Sequence, residues 1–184
     1  MITVPNRRRG RKSKPAKRKG APEPAPSSRG QRGVAALGLL VGAAAFFVYL
    51  NTLQNQFVAD DWTFIGVNPA LGNPISLAKV FGSSFWEALG QEGESTYYRP
   101  VVVLTKMVEY RLFGLKTAGY HVVNNLLHAL VSIGVFLVAL RWMGNRLAAV
   151  AAGLLFAVHP IHTQSVAMIS GMTDVWATLF VLAG

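Results

Sequence analysis

Residues 34–50 read VAALGLLVGAAAFFVYL, seventeen residues without a charge. With Asn51 to Leu53 as an interfacial extension, the stretch reaches the ~20 residues needed to span bilayer hydrocarbon. It decides the fold class, because a soluble domain has no economical way to bury so long a run. Immediately before it, residues 7–33 read RRRGRKSKPAKRKGAPEPAPSSRGQRG, and eleven of the 18 Lys and Arg residues lie before residue 34, opposed there only by Glu23. Like charge mixed with Pro, Gly and Ser cannot bury enough apolar area to offset chain entropy, so residues 1–33 are expected to be a disordered basic tail. The net charge of +10 also invites a nucleic-acid reading. Since the apolar run follows the cluster directly, the positive-inside rule accounts for the charge as a cytoplasmic topology signal with affinity for anionic lipid, and no nucleic acid is required. A cleavable signal peptide is the other reading of a basic region followed by an apolar one. The long basic region, the long apolar run and the lack of an A-x-A site after it all disfavour that reading.

Working outward, apolar residues make up 52% of the chain and charged residues 14%, collected into runs rather than dispersed. The expectation is an all-α polytopic membrane protein with transmembrane helices at 34–53, 119–140 and 147–160 and the start of a fourth at 175–184. The link 141–146 carries Arg141 and Arg146 and is expected on the cytoplasmic side; residues 54–118 and 161–174 are expected as outer loops. The sequence stops inside an apolar run, as a fragment of something longer would. Within the first outer loop, Leu77, Val80, Phe81, Phe85 and Leu89 recur at helical spacing. Pro100 to Gly114 forms a second amphipathic segment, with Lys106, Glu109 and Arg111 read as its polar side. These are expected as interfacial helices, a soluble core helix being the alternative for the second. Thr117 is a plausible N-cap for the next span. Cysteine is absent, which excludes a disulfide framework and thiolate metal sites.

Four groups of polar residues stand at the outer ends of these spans. Asp60 and Asp61 are adjacent carboxylates, able to hold a divalent cation or to act as a base, with a solvated acidic turn as the plain alternative. His121, Asn124, Asn125, His128 and Ser132 share a helical stripe that is costly against lipid and must face the bundle interior, where interhelical hydrogen bonding is a better reading than metal ligation. His159, His162 and Asp174 sit around the third and fourth spans, as site residues or as structural pairs. Arg99, at the start of a helix, suits a phosphate or a carboxylate of the acidic pair. A shared pocket would resolve the desolvation cost of each, so Asp60 or Asp61, Arg99, His121 and His159 are expected to converge within roughly two hydrogen-bond lengths.

As a set, FVADDW (57–62), STYYRPVVVLTKMVEYRLFGLKTAGYHVVNNLLHAL (95–130) and LLFAVHPIHTQSVAMISGMTDV (154–175) resemble the transmembrane and tetratricopeptide-repeat O-mannosyltransferases of the C-type glycosyltransferase superfamily. The resemblance implies a membrane glycosyltransferase that moves a sugar, mannose in that family, from a polyprenyl-phosphate donor to a protein Ser or Thr hydroxyl. It implies catalytic roles for Asp60 and Asp61, with a divalent metal ion held there in some members. Arg99, His121, Asn125, His159, His162 and Asp174 are the candidates to line the site or meet the donor phosphate. Where the family shows Gly-Arg-Ala-Asp, this chain has Gly171-Met172-Thr173-Asp174, so a phosphate role for that Arg is missing. Tetratricopeptide repeats would lie beyond residue 184, and a segment of this length is expected to be inactive alone.

The competing functional class is a non-catalytic membrane scaffold or transporter component. Membrane lipid is a partner in either case, and the expected location is a bacterial inner membrane rather than the endoplasmic reticulum. The charge bias yields a direct prediction: alkaline phosphatase fused after Gly93 is active and after Gly144 inactive, and the reverse pattern contradicts the orientation.

Overall fold

The computed structural model describes residues 28–74, 76–90 and 97–184, and among these every regular element is helical. Residues 1–27 of the expected tail, and Glu92 and Glu94 of the first loop, lie outside the described residues. Helix α1, Ser28–Val48, begins six residues before the apolar run, so residues 28–33 are helical and not part of a disordered tail. Once a helix is nucleated, residues such as Gln31 and Arg32 extend it at little cost. A 3₁₀ turn, Leu50–Gln54, continues it.

The short helices α2, Leu77–Gly82, and α3, Phe85–Ala88, follow. The sequence pattern joined them into one helix. They separate at Ser83 and Ser84 because the Ser84 hydroxyl accepts from the Glu87 N–H at 3.4 Å, starting a new helix there. Helix α4, Pro100–Phe113, has proline in its first turn and stops at Gly114, whose φ of +56° closes the helix with an N–H to the Tyr110 carbonyl at 2.8 Å. Helix α5, Thr117–Met143, has Thr117 as its first helical residue rather than its N-cap; Lys116 stands at the N-cap position and makes no side-chain capping bond.

Helix α6, Arg146–Val158, is 13 residues long, about 20 Å, and too short to cross ~30 Å of hydrocarbon alone. The expected third span and outer loop are redrawn here. Residues 160–171 form helical turns, with α7 at Thr163–Ala167, and α6 with Pro160–Ala167 makes a pair bent by 44°. The bend falls at His159-Pro160, where proline withholds an N–H and disfavours helix in the residue before it. Helix α8 begins at Met172, three residues before the expected start, with Asp174 in its first turn. Two helices, Gly30–Gln54 and Thr117–Met143, are long and apolar enough to cross a membrane, or three spans exist if the bent pair counts as one. The architecture is that of an all-α membrane protein.

Helix α5 is the axis, packing against α1, α6 and α8. Gly153 lets α6 approach closely: a Cβ there would stand 3.0 Å from Phe136 and from Val41, where α1, α5 and α6 meet. The Arg146 guanidinium donates to the Gly30 carbonyl at 3.4 Å, so the start of α1 and the α5–α6 link share one end of the bundle. At the other end, the described residues between 57 and 113 fold into a cap whose apolar side chains, among them Phe57, Ile65, Val80 and Phe85, pack with α4 over Tyr120 and Leu127. Outward-facing apolar residues on α1, α6 and α8, such as Leu39 (69% exposed), Leu147 (79%) and Val181 (80%), present a surface suited to lipid or to further helices.

The polar stripe of α5 faces inward, and its members meet carbonyls at the ends of neighbouring elements. Asn125 donates to Tyr49 O at 3.0 Å at the end of α1, and His128 Nε2 lies 3.0 Å from Ala157 O near the end of α6. Asn124 Nδ2 donates to Val166 O at 3.2 Å and Met168 O at 3.0 Å at the end of α7. Replacing Asn124 with Leu strands two carbonyls. It is expected to lower stability by about 1–3 kcal/mol, read as a fall in unfolding temperature in lipid nanodiscs.

Candidate functional site

The acidic pair is divided by the backbone. Ala59 adopts a φ of +45°, the only positive value on a non-glycine residue among those described, and the chain then enters a π-helical turn, Trp62–Gly66. This turn leaves Asp60 exposed and buries Asp61 fully. Asp61 Oδ2 accepts from Val58 N at 3.1 Å, and Oδ1 accepts from Ser170 N at 2.7 Å, across 109 residues of chain. Asp61 is therefore an anchor between the first loop and the turn ahead of α8, and Asp60 is the carboxylate with access to solvent.

Beneath Asp61 lies a buried ion pair that sequence reading placed on the outside. Lys106 Nζ is 3.0 Å from Glu109 Oε2, both side chains are buried, and Nζ also donates to Ile169 O at 3.1 Å. Its ammonium lies 5.4 Å from the centre of the Tyr120 ring. Burial pushes Lys106 below the ordinary lysine range, opposed first by Glu109 and then by Asp61. Burial likewise raises Glu109, and Lys106 opposes it. The position was legible. Lys106 lies three and four residues from the buried Val103 and Val102 and Glu109 six and seven, while Arg111, two residues past Glu109, points elsewhere and donates to Met107 O and Asn73 O.

The expected convergence occurs only in part. His121 is fully buried, in the field of Asp61 and beside the Asn55 backbone, with neither ring nitrogen in hydrogen-bonding geometry. Among the described residues Arg99 makes no ion pair with Asp60 or Asp61; Lys106 pairs with Glu109 and is joined to Asp61 through the Ile169–Ser170 peptide. The Arg99 guanidinium instead stands 4.8 Å from the Tyr97 ring centre and 5.8 Å from that of Phe85. It borders a groove of about 310 Å³ lined also by Thr173, Trp176 and Phe180. Asn125 is occupied in closing α1.

The histidines form a separate group. His159 is exposed, and its Nδ1 accepts from Ile161 N at 3.2 Å, which starts the next turn. His162 packs on Phe156, with ring centres 4.2 Å apart, and lines a cleft of about 140 Å³ with His128, Ser165 and Asp174. Ser165 donates to Asp174 at 3.0 Å. Among the described residues no three His, Asp or Glu side chains are arranged to hold a metal ion. Both Asp61 oxygens already accept backbone N–H groups, so Asp60 is the carboxylate of the pair with the freer oxygens for a cation.

Comparison with known proteins finds extensive similarity to one group. The chain is 41% identical over 133 residues to the Drosophila melanogaster protein named Protein O-mannosyl-transferase Tmtc1, covering 72% of this chain and 16% of that protein. It is 36% identical over 170 residues to mouse Protein O-mannosyl-transferase TMTC1, covering 89% and 18%, and 32% identical over 168 residues to Caenorhabditis elegans Protein O-mannosyl-transferase F38B6.6, covering 86% and 24%. This chain thus spans less than a quarter of the length of these relatives. No family model matches it, and no solved structure does.

The buried pair sets a stability prediction. Lys106→Met alone leaves Glu109 without its counter-charge and is expected to cost about 3–5 kcal/mol. Adding Glu109→Gln should recover most of that loss, measured by thermal unfolding of the two variants side by side.

Proposed function

This chain is a TMTC-like O-mannosyltransferase segment and part of an integral membrane protein, and we propose that the whole protein transfers a sugar, mannose, from a polyprenyl-phosphate donor to a Ser or Thr hydroxyl of a protein acceptor. The observation that carries this reading is sequence shared with proteins named O-mannosyl-transferases over most of the chain, together with an exposed carboxylate, Asp60, set by a buried neighbour.

In this reading Asp60 takes the proton of the acceptor hydroxyl as its oxygen attacks the anomeric carbon of the sugar. The bond from that carbon to the phosphate oxygen breaks, and the polyprenyl phosphate leaves with the bonding pair. Arg99 faces the phosphate; its guanidinium borders the groove formed with Trp176 and Phe180, whose apolar walls suit a lipid tail. A divalent ion, where one assists the phosphate, would use Asp60 and draw its other oxygen ligands from outside the described residues. The cap at residues 54–118 is assigned to the non-cytoplasmic side and the N-terminus to the cytoplasm, on the charge bias alone. The relatives named above are animal proteins and give no support for a bacterial inner membrane over the endoplasmic reticulum. Tetratricopeptide repeats after residue 184 belong to the same proposal.

The two aspartates should fail differently. In the whole protein, Asp60→Asn is expected to abolish transfer with expression and thermal stability unchanged. Asp61→Ala, which removes both anchoring bonds, should lower stability by about 3 kcal/mol or more. Undiminished transfer by Asp60→Asn would remove Asp60 as the base, whereas a wild-type protein without transfer would favour a non-catalytic scaffold or transporter component.

A further inference from the structure

The Ile169–Ser170 peptide is held from both sides. Its carbonyl accepts from Lys106 Nζ at 3.1 Å, and its N–H donates to Asp61 Oδ1 at 2.7 Å. A continuous series results, from Glu109 carboxylate to Lys106 ammonium, through one peptide group, to Asp61 carboxylate. A cation on the carbonyl and an anion on the N–H polarise the same peptide in the same sense, so each bond strengthens the other. The segment carrying this peptide is fixed independently. Asn124 donates to Val166 O and Met168 O, and a Cβ on Gly171 would stand 2.6 Å from the Gln164 carbonyl, so the turn closes without room for a side chain.

We propose that Lys106 and Glu109 are positioning residues for the acidic pair, acting on Asp60 through the Ile169–Ser170 peptide and Asp61. This inference rests on the reading of Asp60 as the base. A buried ion pair is a poor source of stability compared with apolar residues of similar size, which leaves its placement to be explained by something other than packing. Its ammonium fixes the peptide, the peptide fixes Asp61, and Asp61, bonded also to Val58 N, fixes the turn at Ala59 that directs Asp60 outward. A misplacement of about 1 Å in a reacting group costs roughly 100-fold in rate.

The test uses the whole protein in lipid nanodiscs and two variants, Lys106→Met/Glu109→Gln and Asp61→Asn. Sugar transfer is measured alongside hydrogen exchange of the peptide spanning residues 166–172. Both variants are expected to lose protection at Ser170, and the double variant to lose about 100-fold in kcat with its acceptor KM changed by no more than about twofold. A merely structural pair would instead leave kcat and Ser170 exchange at wild-type values in a double variant that has regained its stability, and that result overturns the proposal. A fall in kcat without altered exchange overturns the route through the peptide. If the double variant does not fold, Asp61→Asn decides: wild-type protection at Ser170 overturns the proposal, and lost protection supports it. If the wild-type protein shows no transfer at all while Ser170 protection still depends on Lys106, the positioning network stands and the reading of Asp60 as a base falls.

Discussion

A carbonyl at the end of a helix inside an apolar bundle must find a donor, because there is no water to supply one. Most of this structure follows from how that demand is met. Asn125 serves the end of α1, His128 the end of α6 and Asn124 the end of α7, all from one face of α5. These side chains are paid for by partners rather than by burial alone. They also let the chain stop and turn at residues 49–54 and 157–171. Lys106 extends the same logic from α4, donating a hydrogen bond to the carbonyl of Ile169.

The cap formed by the described residues between 57 and 113 gains its position from the other side of this arrangement. Its apolar residues seal against α5, but a hydrophobic contact has no direction and tolerates sliding. The bond from Ser170 N to Asp61 has direction, and it ties the beginning of the cap to the turn before α8. Division of labour within the acidic pair follows. One carboxylate is consumed in holding the loop, and the other is left available for chemistry.

The long spans were legible in the sequence, because an uncharged run such as 34–50 has few structural solutions. The inward face of the α5 stripe was legible for the same reason: His121, Asn124, Asn125 and His128 are too costly against lipid to face outward. Two kinds of feature differ from the expectation. A helix boundary shifted where local capping decided, as at Ser84, because apolar periodicity carries no information about which oxygen meets which N–H. The burial of Lys106 and Glu109 was missed because charge was read as a marker of exposure, although their spacing from Val102 and Val103 places them in the buried stripe. Arg99 and His159 were expected at the acidic pair on the same argument of shared cost. They resolve it locally, Arg99 on aromatic rings and His159 on a backbone N–H, and that choice depends on neighbours far apart in sequence.

The central claim is that Lys106 and Asp61 communicate through a peptide group that lies between them. A double-mutant cycle on unfolding free energy tests it, with Lys106→Met and Asp61→Asn made singly and together in a Glu109→Gln background so that no buried counter-charge is stranded. The account predicts a coupling of about 1 kcal/mol or more, as for members of one hydrogen-bonded network. Additivity within roughly 0.3–0.5 kcal/mol, the behaviour of independent sites, would contradict it.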